Sequence, residues 1–145
     1  MNSYFNLPKF TCAIFDLDGT LLDSTGVWEK IDIDFLGKRG LRVPDDYIKE
    51  IKHHNFQTGS VYTAKRFQLD EKPEDIAREW TEMALDEFNN HIGLKKYAKE
   101  YLLQLKAQGI RLAVATSSDQ ALYGECLKRN GVYDLFDTFT ETREV

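Results

Sequence analysis

The chain has 145 residues, with 24 acidic and 19 basic side chains, a formal charge of −5 and an apolar fraction of 42%. This length fits about one domain, and nine Phe and seven Tyr supply enough aromatic side chains for a core, which excludes a disordered chain. The acidic balance excludes a nucleic-acid surface, and no apolar stretch approaches the roughly 20 residues that cross a bilayer. Because Cys12 and Cys126 form no disulfide framework and the first residues lack the features of a signal peptide, we expect a soluble cytoplasmic protein.

The first predicted element is a strand over residues 10–15, an almost continuous apolar run of the kind buried on both faces in parallel sheets. It ends at Asp16, which begins the segment DLDGT. Asp16 and Asp18 therefore form an acidic pair at the edge where open α/β sheets bind their ligands. Gly19 permits unusual backbone dihedral angles, and Thr20 offers a hydroxyl that can orient a neighbouring carboxylate.

Three interpretations of this acidic segment compete. A calcium loop also begins with Asp-x-Asp, but it needs glycine at its sixth position and glutamate at its twelfth, where this chain has Gly19 fourth and Val27 twelfth. A polar turn after a strand uses the same residue types without any chemistry. Phosphoryl transfer through an aspartyl phosphate needs a carboxylate nucleophile, a second carboxylate for the proton, and a hard cation such as Mg²⁺. The position at a strand end favours this third interpretation.

Residues 24–93 contain helical patterns without an intervening strand pattern, so we predict an all-helical insert. The predicted helices are one that starts near Val27 and ends near Gly37 or Gly40, one from Pro44 to about His53, one from Ser60 to Phe67, and a longer one behind Pro73.

Residues 94–145 alternate between helical and strand patterns, which predicts a parallel α/β unit. The predicted elements are a helix over 94–105 that stops at Gly109, a strand over 110–115, a helix from Ser118 or Asp119 to Asn130 that stops at Gly131, and a weaker strand over 136–140. The second strand is followed at once by the hydroxyl side chains of Thr116 and Ser117.

The segment DLDGTLLDS, from Asp16 to Ser24, resembles the first motif of the haloacid dehalogenase superfamily, in the branch that contains phosphoglycolate phosphatases and β-phosphoglucomutases. The segment from Val114 to Ser118 is similar to that superfamily's second motif. The resemblance implies a Rossmann-like α/β core with a parallel sheet, formed by residues 1–23 and 94–145, and a helical cap domain over residues 24–93.

The resemblance also implies roles for the matching residues. Asp16 would be the nucleophile and a magnesium ligand. Asp18 would be the general acid/base and would give its backbone carbonyl to the metal. Thr116 and the backbone N–H of Ser117 would bind the transferring phosphoryl group, aided by the positive end of the helix that begins near Asp119. Without the first motif, Thr116 and Ser117 would be interpreted as an ordinary helix cap.

His54 and Asn55 lie between two helices of the predicted cap, in the segment from His53 to Gly59. Members of the family place a substrate-selecting loop at this point, so the resemblance implies that both side chains face the substrate. Adjacent histidines in a loop are also often exposed to solvent without any function, and this alternative stays open.

Two further motifs of the family, a lysine soon after the third strand and an acidic pair after another strand, are not found in the sequence. We therefore hypothesise that the chain is a truncated product, a fragment or a partial gene of a longer phosphatase. Without the strand that pairs beside it in the family, the strand over residues 10–15 would be an exposed apolar edge, which soluble proteins normally avoid. A second chain that covers this edge in a dimer is the alternative.

The predicted function is that of a magnesium-dependent phosphatase acting on a small phosphorylated metabolite. We expect little or no turnover from these 145 residues, because the family uses the two unmatched motifs for electrostatic stabilisation of the phosphoryl group. One alternative is a sugar-phosphate mutase, although such relatives carry a histidine where residues 25–29 have none. Another alternative is a non-catalytic remnant that binds phosphate or metal, or interacts through its open edge.

Overall fold

The computed structural model of the protein describes residues 10–142. In chain order its elements are β1 (Cys12–Phe15), α1 (Val27–Gly37), α2 (Asp45–Ile51), α3 (Phe56–Arg66), α4 (Pro73–Asn90), α5 (Ala98–Ala107), β2 (Arg111–Thr116), α6 (Gln120–Arg129), a 3-10 turn at Tyr133–Leu135 and β3 (Thr138–Glu141). Among the described residues, none of the helices combines the length and apolar character needed to cross a membrane.

The chain divides into two compact units. The α/β unit contains the described residues up to Ser24 and those from Ile92 onward, while Thr25–His91 form a helical unit. The sequence pattern predicts the boundaries of core and cap at residues 23/24 and 93/94. The assignment of these two units as catalytic core and cap domain stays a prediction.

The α/β unit is built on a parallel sheet with the strand order β1-β2-β3. Phe15 of β1 lies opposite Val114 of β2, and Thr116 at the end of β2 lies opposite Glu141 at the end of β3. Since the strands are parallel, their carboxyl ends share one edge of the sheet. The predicted α/β fold class with a parallel sheet and an all-helical insert is confirmed.

The strand β1 is less buried than its apolar sequence predicts. Ile14 is 70% exposed, and Cys12 is also exposed. Phe15 is partly covered by the ring of Tyr101 on α5, with ring centroids 6.2 Å apart. The prediction that this strand is buried on both faces is wrong, because β1 is an edge strand of the sheet formed by residues 10–142. The prediction of an exposed apolar edge is confirmed.

The core of the α/β unit lies around β2 and the two helices α5 and α6. Its buried side chains include Leu102, Leu105, Leu112, Val114, Cys126, Leu127 and Val132. Burial of one such large aliphatic side chain stabilises the fold by about 1.5–3 kcal/mol. Gly109 and Gly131 follow α5 and α6 with φ angles of +77° and +73°, so the predicted glycine stops of both helices are confirmed.

The helix predicted over residues 94–105 begins at Ala98 instead. Leu94 forms an antiparallel bridge with Leu22, so this residue belongs to an extended segment. Its apolar side chain matches the helical spacing, but backbone pairing with a distant part of the chain determines its conformation. Such long-range pairing cannot be inferred from local periodicity.

The helical unit packs four helices around aromatic and aliphatic side chains. Its buried residues include Val27, Ile31, Phe35, Leu36, Tyr47, Ile76, Trp80, Ala84 and Phe88. The Phe35 and Trp80 rings meet edge to face, with centroids 5.6 Å apart, and thereby join α1 to α4.

Arg39, two residues after the end of α1, links three segments of the helical unit. Its guanidinium lies 3.6 Å from the centre of the Phe35 ring and donates to Glu71 at 2.6 and 2.7 Å. It also donates to Glu79 of α4 at 2.7 Å. These charge-assisted bonds fix α1 against α4 and the segment that precedes it.

The helix α3 begins at Phe56 and not at the predicted Ser60. Asn55 caps the helix, because its Oδ1 accepts the backbone N–H of Thr58 at 2.9 Å. Gly59 disfavours a helix by propensity but is buried here, where an added Cβ would lie 3.1 Å from the Ile51 side chain. The predicted loop from His53 to Gly59 is therefore wrong beyond Asn55, because close packing outweighs the low helix propensity of glycine.

Candidate active site

A tight turn follows β1 and shapes the first part of the site. The carbonyl of Leu17 accepts backbone N–H groups from Thr20, Leu21 and Leu22 at distances of 2.9 to 3.1 Å. Gly19 adopts a φ of +72°, which side-chain-bearing residues rarely adopt. The buried side chains of this turn anchor it in the α/β core, so the two carboxylates project from a fixed backbone.

Asp16 is the first residue after β1 and is exposed. Its Oδ2 lies 3.5 Å from the hydroxyl of Thr20, at the long limit for a hydrogen bond. Thr20 therefore lies within reach of Asp16, whose exposed carboxylate stays open to a ligand, and the predicted orienting role of Thr20 stays a prediction.

Asp18 is half-buried and is held by Ser24. The Ser24 hydroxyl, only 2% exposed, donates to Asp18 Oδ1 at 2.8 Å. Burial raises the pKa of Asp18, the hydrogen bond from Ser24 opposes this rise, and the charge of Asp16 adds to it. A carboxyl group with a raised pKa retains its proton more readily, which suits a proton donor.

Ser24 joins the candidate site through this bond, and no role was predicted for it although it is the last residue of the first motif. The sequence signal was a hydroxyl six positions after Asp18, directly before the predicted helical insert. Its burial and its bond to Asp18 become evident only once the turn is folded.

The second predicted part of the site follows β2. Thr116 is 7% exposed, and its Oγ1 accepts the backbone N–H of Ser118 at 3.0 Å. Ser117 is exposed, and Asp119 caps α6 by accepting the N–H of Ala121 at 3.0 Å. The cap formed by Asp119 agrees with one of the two predicted alternatives. The turn after Thr116 and the N-terminal end of α6, which carries a partial positive charge, therefore lie at the carboxyl edge of the sheet.

The parallel register brings the two parts of the site to one edge. Asp16 follows Phe15, whose partner Val114 lies two residues before Thr116. Carboxylates with affinity for cations thus lie beside a hydroxyl and a helix N-terminus with affinity for anions. This arrangement suits an anionic ligand held together with a hard cation. The roles predicted for Asp16, Asp18, Thr116 and Ser117 stay predictions.

His54 and Asn55, the predicted substrate-loop residues, have contacts within the helical unit. The His54 ring stacks on Tyr62 with centroids 5.2 Å apart, and its Nε2 lies 3.3 Å from a carboxylate oxygen of Glu50. Asn55 is engaged as the cap of α3. These contacts give both side chains a structural role, and their proposed contact with substrate stays a prediction.

Oxygen donors of the first motif fit a hard divalent cation. Asp16 offers an exposed carboxylate, and Asp18 offers a backbone carbonyl in the turn after β1. Carboxylate and carbonyl oxygens are the ligands that Mg²⁺ prefers. In the helical unit, Asp86, Glu87 and His91 also lie close together, but Lys30 binds Glu87 at 2.6 Å and His91 lies 3.6 Å from Asp86. Contacts within the helical unit therefore account for this second cluster.

The parallel α/β sheet, with an acidic pair after its first strand and a hydroxyl after the next, places these side chains at the edge where open α/β sheets bind their ligands. The profile of the haloacid dehalogenase-like hydrolase family matches residues 13–145. The chain therefore belongs to the haloacid dehalogenase-like hydrolases. None of the curated proteins matches it.

Solved structures share the fold at low sequence identity. A protein from Thermotoga maritima, assigned as a β-phosphoglucomutase, superposes with a TM-score of 0.81 at 22% identity over 94% of this chain and 63% of its own. A protein from Haemophilus somnus, assigned as a phosphoglycolate phosphatase, superposes with a TM-score of 0.74 at 22% identity over 96% of this chain and 65% of its own. CbbY from Rhodobacter sphaeroides, in complex with phosphate, superposes with a TM-score of 0.66 at 22% identity over 93% of this chain and 64% of its own. The chain thus spans less than two thirds of the length of these relatives.

Proposed function

We propose that the protein is a magnesium-dependent phosphatase that hydrolyses a small phosphorylated metabolite through a phosphorylated aspartate. The observation that carries this proposal is the position of Asp16, an exposed carboxylate at the carboxyl end of β1, on the sheet edge that also holds Thr116. Membership of the hydrolase family supports the reaction class.

In the first step, a carboxylate oxygen of Asp16 attacks phosphorus while the bond from phosphorus to the substrate oxygen breaks. Asp18 gives its proton to the departing oxygen, which leaves as an alcohol. In the second step, water attacks the phosphorus of the aspartyl phosphate and loses a proton to Asp18. The bond from phosphorus to the Asp16 oxygen then breaks, which releases inorganic phosphate and restores both carboxyl groups.

The environment of Asp18 supports its role as the acid of the first step. Its pKa is raised by burial, so it binds a proton more readily than an exposed aspartate. Ser24 holds one carboxyl oxygen at 2.8 Å, which leaves the other oxygen for the substrate. Asp16 instead meets the exposed hydroxyl of Thr20 at 3.5 Å, a looser contact that suits a nucleophile.

Thr116 and the backbone N–H of Ser117 would bind the phosphoryl oxygens, with the N-terminus of α6 behind them. These donors are fixed by the fold before substrate binds, because Thr116 is buried and the next turn is tied to its hydroxyl. Donors that need no reorganisation stabilise the charge that develops on the phosphoryl group.

Asp16, through its carboxylate, and Asp18, through its backbone carbonyl, would hold Mg²⁺. When bound, the cation would neutralise charge between carboxylate and phosphate. The solved structure of YfnB from Bacillus subtilis has magnesium bound, that of CbbY has phosphate, and a CbbY variant has xylulose-1,5-bisphosphate. These ligands support a small phosphorylated substrate and a magnesium site for this chain.

The proposal extends to three further properties. The helical unit, Thr25–His91, would act as the cap that selects the substrate. The location would be the cytoplasm, in keeping with two cysteines that are both free thiols. The exposed edge of β1 would allow self-association, which sedimentation of the purified chain tests directly.

A sugar-phosphate mutase is the second candidate function. Such an enzyme returns the phosphoryl group to the sugar and must keep water away from the phosphorylated aspartate. Incubation with β-glucose 1-phosphate separates the two candidates, because a mutase forms glucose 6-phosphate whereas a phosphatase releases inorganic phosphate.

Binding of trifluoroberyllate, a mimic of the phosphoryl group on a carboxylate, tests the proposal without requiring turnover. Fluorine NMR of the protein with Mg²⁺ should show bound signals that disappear in Asp16→Asn. Asp23→Asn is the matched control, because Asp23 lies in the same motif but is exposed and paired with Lys95 at 3.6 Å. Bound signals of equal strength in Asp16→Asn would contradict the assignment of the nucleophile.

A further inference from the structure

A third carboxylate, outside the first motif, lies at the carboxyl edge of the sheet. Glu141 is the last residue of β3 and lies opposite Thr116 in the parallel register. The hydroxyl of Tyr123, on α6, donates to Glu141 Oε1 at 2.8 Å. This bond joins the carboxyl end of β3 directly to the helix that comes after the candidate phosphate-binding turn.

The ring of Tyr123 is held in one orientation by packing. Tyr123 is 1% exposed and stacks on Phe139 of β3, with centroids 5.7 Å apart. Phe139 also stacks on Tyr133 at 5.0 Å and contacts Phe136 at 5.7 Å. Because aromatic pairs of this kind resist reorientation, the hydroxyl of Tyr123 is directed to Glu141 by the core itself.

Tyr123 also lies in the first turn of α6. Its backbone N–H donates to the carbonyl of Asp119 at 3.1 Å, and Asp119 is the N-cap of the helix. The turn before this cap is tied to the hydroxyl of Thr116 through the N–H of Ser118. Hydrogen bonds therefore connect Glu141 to Tyr123 and Tyr123 to the cap residue Asp119, which follows the turn bonded to Thr116. Thr116 lies opposite Glu141 in the sheet, so the contacts form a closed loop.

We propose that Tyr123 and Glu141 are positioning residues for the phosphoryl-binding turn formed by Thr116 and Ser117. This inference rests on the proposed function. Neither side chain touches the phosphoryl group. The bond between them fixes the first turn of α6 relative to the end of β2, so that the N–H groups of the turn already have the geometry that binds phosphoryl oxygens.

The test measures the affinity of the full chain for trifluoroberyllate in the presence of Mg²⁺, by fluorine NMR titration. Tyr123→Phe removes the donor and keeps the ring, and Glu141→Leu removes the acceptor. Glu141→Gln keeps an amide oxygen that can still accept the Tyr123 hydroxyl. Tyr133→Phe is the matched control, because it removes a hydroxyl from the same aromatic cluster without altering the Tyr123–Glu141 bond.

We expect Tyr123→Phe and Glu141→Leu to weaken the affinity about tenfold, as displacement of a binding group by a fraction of an ångström does. Glu141→Gln and Tyr133→Phe should bind as the wild type does. Should Tyr123→Phe fail to fold, the positioning role is tested by comparing the affinities of Glu141→Gln and Glu141→Leu. Circular dichroism verifies that both variants are folded.

Two results would overturn the inference in different ways. If Glu141→Leu binds as tightly as the wild type while Asp16→Asn abolishes binding, the positioning role is wrong and the proposed function stands. The positioning role is equally wrong if Glu141→Gln and Glu141→Leu lose the same affinity. If the wild type itself does not bind trifluoroberyllate, the proposed function fails, and the positioning role fails with it.

Discussion

Asp32 gives the helical unit a dependence on pH that can be calculated from its surroundings. The carboxyl group lies on α1, is 9% exposed, and accepts a bond of 3.4 Å from the Tyr47 hydroxyl, which also lies 2.9 Å from Thr63 Oγ1. Burial raises the pKa of Asp32 to about 6, with a smaller contribution from the charge of Glu29, while the bond from Tyr47 opposes the rise. Asp32→Asn replaces this carboxyl group with a neutral side chain of the same shape.

The sign of the effect depends on the two pKa values. An exposed aspartate in the unfolded chain has a pKa of about 3.9. Because the pKa in the folded chain is higher, folding favours protonated Asp32, and this stabilisation is complete below about pH 4 and lost as the pH rises through 6. At about 1.4 kcal/mol per pH unit, the full difference is about 3 kcal/mol. Residual solvent access screens part of it, so we expect Asp32→Asn to be more stable than the wild type by about 1.5–2 kcal/mol at pH 7.5.

Urea unfolding followed by tryptophan fluorescence measures this difference. The chain has two tryptophans, Trp28 and Trp80, and both belong to the helical unit. We expect the advantage of Asp32→Asn at pH 7.5 to disappear near pH 4. Asp34→Asn is the control, because Asp34 lies exposed on the same helix in an ion pair with Lys30. An equal difference at both pH values, or a less stable Asp32→Asn at pH 7.5, would refute the reasoning.

Three further predictions concern single contacts. Thr116→Val should lower the affinity for trifluoroberyllate about tenfold with an unchanged circular dichroism spectrum, because a hydroxyl donor to the phosphoryl group is lost; unchanged affinity would count against its role. Asn55→Ala should lower the free energy of unfolding of the helical unit by about 1 kcal/mol and Asn55→Asp should not, as measured by urea unfolding; equal effects would show that the cap is unimportant. Arg39→Met should destabilise the same unit by about 1–3 kcal/mol, since Glu71 loses its bonds to the guanidinium and Glu79 keeps only Lys38 at 3.2 Å, and a loss below about 0.5 kcal/mol would contradict the importance of these two ion pairs.

The sequence predicted the α/β class and the sheet edge because these depend on local signals. An apolar run that ends in DLDGT identifies both a strand and the acidic turn at its carboxyl end, and parallel strands bring such ends together. The exposure of Ile14 does not follow from the apolar pattern, since a strand has the same pattern at the centre and at the edge of a sheet, and the exposed edge was expected only from the resemblance. Only the strand order distinguishes the two cases.

The errors have physical causes in long-range contacts. Leu94 fits a helical spacing, yet pairing with Leu22 makes it extended. Gly59 argues against a helix by propensity, yet packing against Ile51 favours a residue without a side chain. The hydrogen bond from Tyr123 to Glu141 could not be predicted from the sequence either. The available signal was that a buried tyrosine hydroxyl usually has a hydrogen-bond partner, which does not identify the partner.

The most direct measurement is detection of the covalent intermediate on Asp16. The protein is mixed with Mg²⁺ and acetyl phosphate, quenched in acid, and digested for mass spectrometry of the peptide that contains residues 16–20. We predict one added phosphoryl group on Asp16 in the wild type and none on this peptide in Asp16→Asn. Phosphorylation of Asp18 in place of Asp16, or an equal adduct on this peptide in Asp16→Asn, would contradict the assignment of Asp16 as the nucleophile.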